Sequence, residues 1–356
     1  MKMIKTLLVM GLFTALGLAA VFYVFLHTPT PASSPVQKFQ YDLVRGAGPS
    51  EVSETLEKLG VIKNATLFLY SGRLLRVWGK IRAADYELTE GMTPLQVFKV
   101  LQSGIGVHRE LLIREGDNLY QVAESMESAG LGAKHELVKL LKSKELIDLF
   151  GLSREGLRSF EGYLLPNTYY FEKKDLAVVL IRRMVDAFLK NWTPEFELRA
   201  QAIGLSRYQV VTLASVIEKE TGASQERPII ASVFHNRLRK KMRLQSDPTT
   251  IYGMWERYDG NIRKSDLKTP SDYNTYTVPA LPIGPISNPH PLAIKAALYP
   301  ADSDYLFFVS KNDGTHVFSK TYEEHNEWVN QLQRNRKSRE GKSWRDLNPN
   351  HDAVSE

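Results

Sequence analysis

SRYQVVTLASVIEKETG, residues 206–222, reads as one amphipathic helix. Ser206 can cap it, and Val210, Val211, Leu213, Ala214 and Ile217 give it a wide apolar face. At about 100° per residue, Lys219 points nearly opposite that face, and Glu218 and Glu220 fall on its two borders. A carboxyl on such a border can be half buried. Burial disfavours the charged form, which suits a general acid working near neutral pH. Helical geometry does not choose between the two glutamates. The plainer alternative is that both make surface ion pairs, for instance with Lys219 or Arg227.

The flanking segments are rich in polar loops. Residues 232–253 read SVFHNRLRKKMRLQSDPTTIYG, a helix bearing Asn236 and Arg237 that runs into a turn of Gln245, Ser246, Asp247, Pro248 and Thr249. Residues 273–276 read YNTY and residues 281–289 read LPIGPISNP. Asn, Gln, Thr and Tyr offer short donors and acceptors with little fixed charge, which is what sugar hydroxyls and acetamido groups require. Ordinary turn chemistry is the alternative, since Asp247-Pro248 and Asn288-Pro289 start turns in any fold. Upstream, residues 159–171 (SFEGYLLPNTYYF) interrupt a mostly helical stretch. Their aromatics suit either the apolar faces of sugars or a core loop with buried tyrosines.

Further toward the N-terminus, residues 48–60, 93–104 and 117–130 carry helical stripes with caps and terminal glycines. Residues 66–70, 74–77 and 111–114 read as short strands. The chain up to about residue 115 is thus expected to be a small α+β module. The very start is different. Lys2 and Lys5 precede residues 7–26, an uncharged run whose only hydroxyl before the aromatic Tyr23 is Thr14. Twenty residues at about 1.5 Å each span roughly 30 Å, the thickness of a bilayer core. The lysines favour a cytoplasmic N-terminus with the rest of the chain exported, and Tyr23 suits the far interface. A cleaved signal peptide is the rival reading, but its apolar core normally stops at 7–15 residues. Residues 27–35 (HTPTPASSP) read as an extended spacer.

Composition narrows the classes. The 356 residues are 43% hydrophobic and 24% charged, which rules out wholesale disorder, and the length suits two domains. A net charge of +6 gives little reason to expect nucleic acid as a partner. The absence of cysteine excludes disulfides, thiol nucleophiles and cysteine metal sites. His235, His290, His316 and His325 lack ligand-like spacing, and neither a GxSxG elbow nor a phosphate-cradling glycine pattern occurs. No cofactor or metal is expected.

Taken together, six ordered motifs resemble the YceG-like (MltG) family of endolytic murein transglycosylases. They are EGYLLPNTY from Glu161, EKET from Glu218, VFHNRL from Val233, LQSDPT from Leu244, YNTY from Tyr273 and LPIGPI from Leu281. The likeness covers residues 48–329 and the apolar start. Asn167 stands where the family often has Asp, and residues 280–283 read ALPI where it often has GLPP.

The resemblance implies an α+β protein with the following parts: a cytoplasmic stub and transmembrane anchor (1–27), a linker (28–36), a LysM-like subdomain (37–115), a larger, mainly helical catalytic domain (116–330) and a mobile basic tail (331–356). It implies Glu218 as the catalytic acid, with Glu220 as a supporting carboxylate. Glu161, Tyr163, Asn236, Gln245, Asp247, Thr249, Tyr252, Asn274 and Tyr276 become expected cleft residues. The implied partners are peptidoglycan strands, the bacterial inner membrane and a glycan-polymerising synthase. Two other readings stay open: a hydrolase pairing Glu218 with a second carboxylate such as Asp247, and a glycan-binding scaffold without activity.

Overall fold

The structure is a computed structural model that describes residues 2–44, 46–104, 109–172 and 175–334. The chain divides into two compact units, Met1–Arg109 with Tyr170–Lys174, and Glu110–Tyr169 with Asp175–Glu356. Among the described residues helices dominate, and three two-stranded sheets complete an α+β fold of the expected class. The expected tail from residue 331 begins inside a π-helical turn, Asn330–Arg334, and residues 335–356 lie outside the described residues.

The first unit begins with α1 (Lys2–His27), in which Val9–His27 is long and apolar enough to cross a membrane. Leu12, Phe13 and Leu16 stand exposed on it, so the protein itself does not cover this surface. Strands β1 (Lys38–Asp42) and β2 (Asp85–Thr89) pair antiparallel, with Lys38 opposite Thr89 and Asp42 opposite Asp85. Helices α2 (Pro49–Lys58), α3 (Ala65–Leu74) and α4 (Pro94–Ser103) complete the unit. Leu56, Phe68, Tyr86, Leu88 and Phe98 fill its core, and the rings of Phe68 and Phe98 stack at 4.0 Å.

Two expected strands of this unit are corrected. Residues 66–70 lie inside α3, and residues 74–77 span its end and the following turn. Asn64 caps the helix by accepting from the Leu67 N–H at 2.8 Å. The buried positions Phe68, Ser71 and Gly72 recur at helical spacing. That tertiary burial overrides a composition rich in strand formers.

In the second unit, helices α5 (Leu119–Ser128), α6 (Lys134–Leu141), α7 (Lys144–Leu149), α8 (Ala177–Asn191), α9 (Pro194–Ala202) and the short α13 (Lys264–Lys268) accompany α10 (Arg207–Glu220), around which the unit is built. Ser206 caps α10 as expected, and all eight residues from Val210 to Ile217 are buried. The helix is therefore enclosed on every side along its middle rather than amphipathic. It packs against α11 (Arg227–Arg239), α12 (Asp247–Gly253) and α14 (Pro291–Leu298). The expected turn at 245–249 is sharper than a loop. Gln245 takes a left-handed φ of 50°, and Asp247-Pro248 then open α12. Strands β5 (Phe307–Ser310) and β6 (His316–Ser319) form an antiparallel hairpin near the C-terminal end of the described chain. In residues 159–171, Phe160, Tyr163, Tyr169 and Phe171 are buried and only Tyr170 among the aromatics is exposed, but only the first half is a loop: residues 167–171 form strand β4 (Asn167–Phe171), which pairs with β3 (Arg109–Ile113).

Candidate active site

The two glutamates leave the last turn of α10 toward different partners. The Glu218 carboxyl is only 7% exposed. Its Oε1 accepts from Arg227 Nη2 at 3.1 Å, and its Oε2 accepts from the backbone N–H of His290 at 3.0 Å. Arg227 is the first residue of α11 and is itself buried. The pairing considered from sequence thus exists, but inside the protein and not on its surface. The same Nη2 lies 3.6 Å from Oε2 of Glu115, whose Oε1 lies 3.5 Å from His290 Nε2. His290 caps α14 by accepting the Leu292 N–H on Nδ1. A neutral ring then carries its hydrogen on Nε2, which faces Glu115. Lys219, between the glutamates, reaches the Gly116 carbonyl at 3.2 Å.

Glu220 accepts from Ser246 Oγ at 2.6 Å. Burial, reinforced by the charge of Asp247, pushes its carboxyl up to about 7. It lines a cavity of about 400 Å³ together with Arg237, Gln245, Asp247, Tyr276 and Phe307. Tyr276 donates its hydroxyl to Asp247 Oδ1 at 2.6 Å, and burial raises the phenol so that it stays a donor. Arg237 is pinned to the carbonyls of Leu306 and Leu244, at 2.6 and 2.7 Å.

A third carboxyl braces this unit. Glu161 is almost wholly buried and accepts from the Leu119 N–H at 2.8 Å and from Asn288 Nδ2 at 3.2 Å. Burial pushes it up to about 8, opposed by hydrogen bonds that include one with Tyr252. Asn288 ties three distant segments. Its Oδ1 accepts from the N–H groups of Gly162 and Leu164, at 2.9 and 3.1 Å, and its Nδ2 also donates to the Asp117 carbonyl at 2.9 Å. Gly162 has φ +83°, and a Cβ there would press on Val211 and Pro285, so only glycine fits this corner of the EGYLLP motif.

Of the expected cleft residues, Gln245, Asp247 and Tyr276 meet Glu220 around the cavity, while Tyr252 donates a hydrogen bond to Glu161. Four others are placed in the interior instead. Tyr163 donates to Glu155 at 2.5 Å, and Asn236 donates to the carbonyls of Ser303 and Tyr305. Thr249 donates to the Ser246 carbonyl at 2.6 Å, and Asn274 donates to the carbonyls of Leu267 and Thr269. Buried loop carbonyls need donors, and short polar side chains supply them. These four hold the frame and do not face the cavity.

Sequence reasoning missed Glu115, His290 and Asn288 as members of these clusters. Asn288 stood in a Pro/Gly loop and looked like a turn former, and nothing in the local sequence distinguishes Glu115. Among the described residues, no group of three or more His, Asp or Glu side chains is placed to hold a metal ion.

Buried carboxyls gathered at one helix end and among polar loops are the equipment of acid–base chemistry, as used on glycosidic bonds. Comparison with known proteins makes the class specific. The model of the YceG-like family matches residues 41–331, and the chain belongs to that family. It is 32% identical over 295 residues to the endolytic murein transglycosylase of Bacillus subtilis (strain 168), covering 79% of this chain and 81% of that protein. It is 28% identical over 352 residues to the endolytic murein transglycosylase of Streptococcus pneumoniae serotype 2 (strain D39), covering 90% of this chain and 63% of that longer protein. The crystal structure of a yceG-like protein from Listeria monocytogenes superposes with a TM-score of 0.57 at 34% identity, covering 82% of this chain and 99% of that one.

Proposed function

We propose that this chain is an endolytic murein transglycosylase with Glu218 as its acid and base. Glu218 gives its proton to the oxygen that bridges N-acetylmuramic acid to N-acetylglucosamine. The C1–O bond breaks with its electron pair on that oxygen, through an oxocarbenium-like state. The muramyl C6 hydroxyl then attacks C1 and forms the 1,6-anhydro ring, and its proton passes to the Glu218 carboxylate. No water is consumed. The attack is intramolecular, so a high effective molarity stands in for a second activating carboxylate.

One observation carries the reading: in a member of this family, the first glutamate of EKET is held buried at the end of α10 by Arg227 and the His290 N–H. Such fixing of a reacting group is what positioning requires. Gln245, Asp247 and Tyr276, beside Glu220, supply hydroxyl-binding groups around the neighbouring cavity. The first unit is read as LysM-like, and residues 116–330 as the catalytic part.

The apolar α1 supports a membrane location. Lys2 and Lys5 keep its start in the cytoplasm, the helix crosses the inner membrane, and the rest works in the periplasm on strands emerging from a glycan-polymerising synthase. If α1 is an anchor, the chain stays with membranes after a carbonate wash, and removing residues 1–36 releases it. A cleaved N-terminus found by mass spectrometry of the mature chain would contradict this.

The decisive experiment is muropeptide mass spectrometry on uncrosslinked murein treated with the purified chain. Anhydro ends from internal cuts are expected, and Glu218→Gln should abolish them with the fold intact. Products one water heavier would mean a hydrolase. Binding without cuts would mean a scaffold, and full turnover by the variant would remove Glu218 from the role.

A further inference from the structure

The one-glutamate scheme asks of Glu218 something its surroundings here do not yet provide. Before the bond breaks, a carboxyl oxygen has to hold a hydrogen and aim it at the bridging oxygen. Both oxygens instead accept hydrogen bonds, one from Arg227 and one from the His290 N–H. The backbone donor is fixed at the start of α14. The guanidinium is the donor free to leave.

Several features show where it would go. The Nη2 that reaches Glu218 at 3.1 Å is also 3.6 Å from Glu115 Oε2, so a small rotation exchanges the partners. Arg227 is not locked by a bidentate fork, since its Nε is buried without a hydrogen-bond partner. Glu115 is half exposed, whereas Glu218 is buried. A strand lying over Glu115 would strip its water and strengthen its attraction for the guanidinium. The base of the Glu115 side chain is anchored, because the next residue, Gly116, donates to the Asn288 carbonyl at 3.0 Å and accepts from Lys219. His290 Nε2, at 3.5 Å, keeps the other Glu115 oxygen oriented.

We propose that Glu115 is a positioning residue that draws Arg227 off Glu218 when a glycan strand binds, freeing the Glu218 carboxyl to carry its proton. The inference rests on the reading of Glu218 as the acid. It adds the step that prepares that acid and assigns Glu115 and Arg227 to it.

A double-mutant cycle tests it, with the full chain in detergent and release of anhydro ends as the readout. Glu115→Gln should lower kcat about tenfold and leave KM within about twofold, and Glu115→Asp should recover part of the loss. In an Arg227→Ala background, Glu115→Gln should add less than about a twofold loss, because the group it acts on is gone. If the two changes multiply independently, or if Glu115→Gln acts on KM or leaves turnover intact, the inference is overturned. Should Arg227→Ala fail to fold, the division of the Glu115→Gln effect between kcat and KM decides alone. A wild-type chain that released no anhydro ends would defeat both the function and this step. A working wild type with an additive cycle would defeat only the step.

Discussion

Glu218 and Glu220 stand two positions apart at the end of one helix, yet their carboxyls serve different loops, Glu218 bonding Arg227 at the start of α11 and Glu220 bonding Ser246 just before α12. The arrangement follows from the helix. Side chains two positions apart diverge by about 200°, so one turn can feed two separate clusters. One cluster is ionic and carries Glu115, Arg227 and His290. The other opens on a cavity and contains a carboxyl that keeps its proton to about pH 7. The EKET motif therefore packs a carboxyl paired with a guanidinium and a carboxyl shifted toward its neutral form into four residues.

The buried acids set a pH dependence of stability. Glu161 and Glu220 are pushed up to about 8 and about 7 from an ordinary 4.5. Between those values the folded chain holds protons that the unfolded chain has released. Their contribution is fully present below about pH 4.5 and is lost as pH rises toward 8. Thermal unfolding in detergent should show a melting temperature that falls by several degrees from pH 5 to pH 8. Glu161→Gln should flatten the upper part of that fall. A melting temperature that rises over this range would refute the assignment.

Asn288 is expected to be a stability residue out of proportion to its size. Asn288→Ala orphans the N–H groups of Gly162 and Leu164 and takes a donor from Glu161, while the Asp117 carbonyl keeps its 2.8 Å bond from the backbone N–H of residue 288. Each orphaned buried group costs about 1–3 kcal/mol, so a loss of roughly 3 kcal/mol or more is expected in denaturant unfolding. Asn167→Asp, at an exposed position, should stay within about 0.5 kcal/mol. Equal effects of the two changes would show that the Asn288 bridge carries little of the stability.

These cases separate what sequence conveys from what it does not. The helices at residues 48–60, 93–104 and 206–222 were legible because their signals are local. Thr93 and Ser206 cap through their own hydroxyls, and Gly104 ends its helix in the left-handed region. Residues 66–70 were misread because the force that makes them helical is burial of Phe68 against Phe98, a contact 30 positions away. Asn288 reads equally as a turn former or as part of a polar sugar-binding loop, because its bonds run to segments more than 120 positions distant. Glu115 was missed for the same reason, since its partners Arg227 and His290 are remote in the chain. The motif residues Thr249 and Asn274 were visible, but a motif does not say whether a side chain faces a cavity or braces a loop.

The hairpin near the end of the described chain clamps the loop between the two clusters. Gly222 lies directly on the Gly314 backbone, where a Cβ would overlap the Gly314 carbonyl. Two bonds from His316 to Glu226, at 3.0 and 2.7 Å, fasten the same loop just before Arg227. Gly222→Ala has to push backbone away, at an expected cost of about 1–3 kcal/mol, with a fall in anhydro-end release because Arg227 shifts with the loop. Gly79→Ala, with open space around its Cβ, is the control and should be silent in both measurements. If Gly222→Ala matches Gly79→Ala, the clamp has no effect on the site.

Tyr276→Phe separates binding from chemistry at the cavity. The Tyr276 hydroxyl donates to Asp247 at 2.6 Å, which leaves its own lone pairs and the second Asp247 oxygen for a sugar hydroxyl or an acetamido N–H. Removing it deletes one hydrogen-bonding partner of the glycan and lets Asp247 turn freely. Loss of a single such bond is worth about 1 kcal/mol, or roughly fivefold in affinity. KM for uncrosslinked murein should therefore rise about fivefold while kcat stays within about twofold, as expected for contacts equally strong in the ground and transition states. A fall in kcat at constant KM would instead place Tyr276 and Asp247 in the bond-breaking step, and would bring back the reading in which Asp247 activates water.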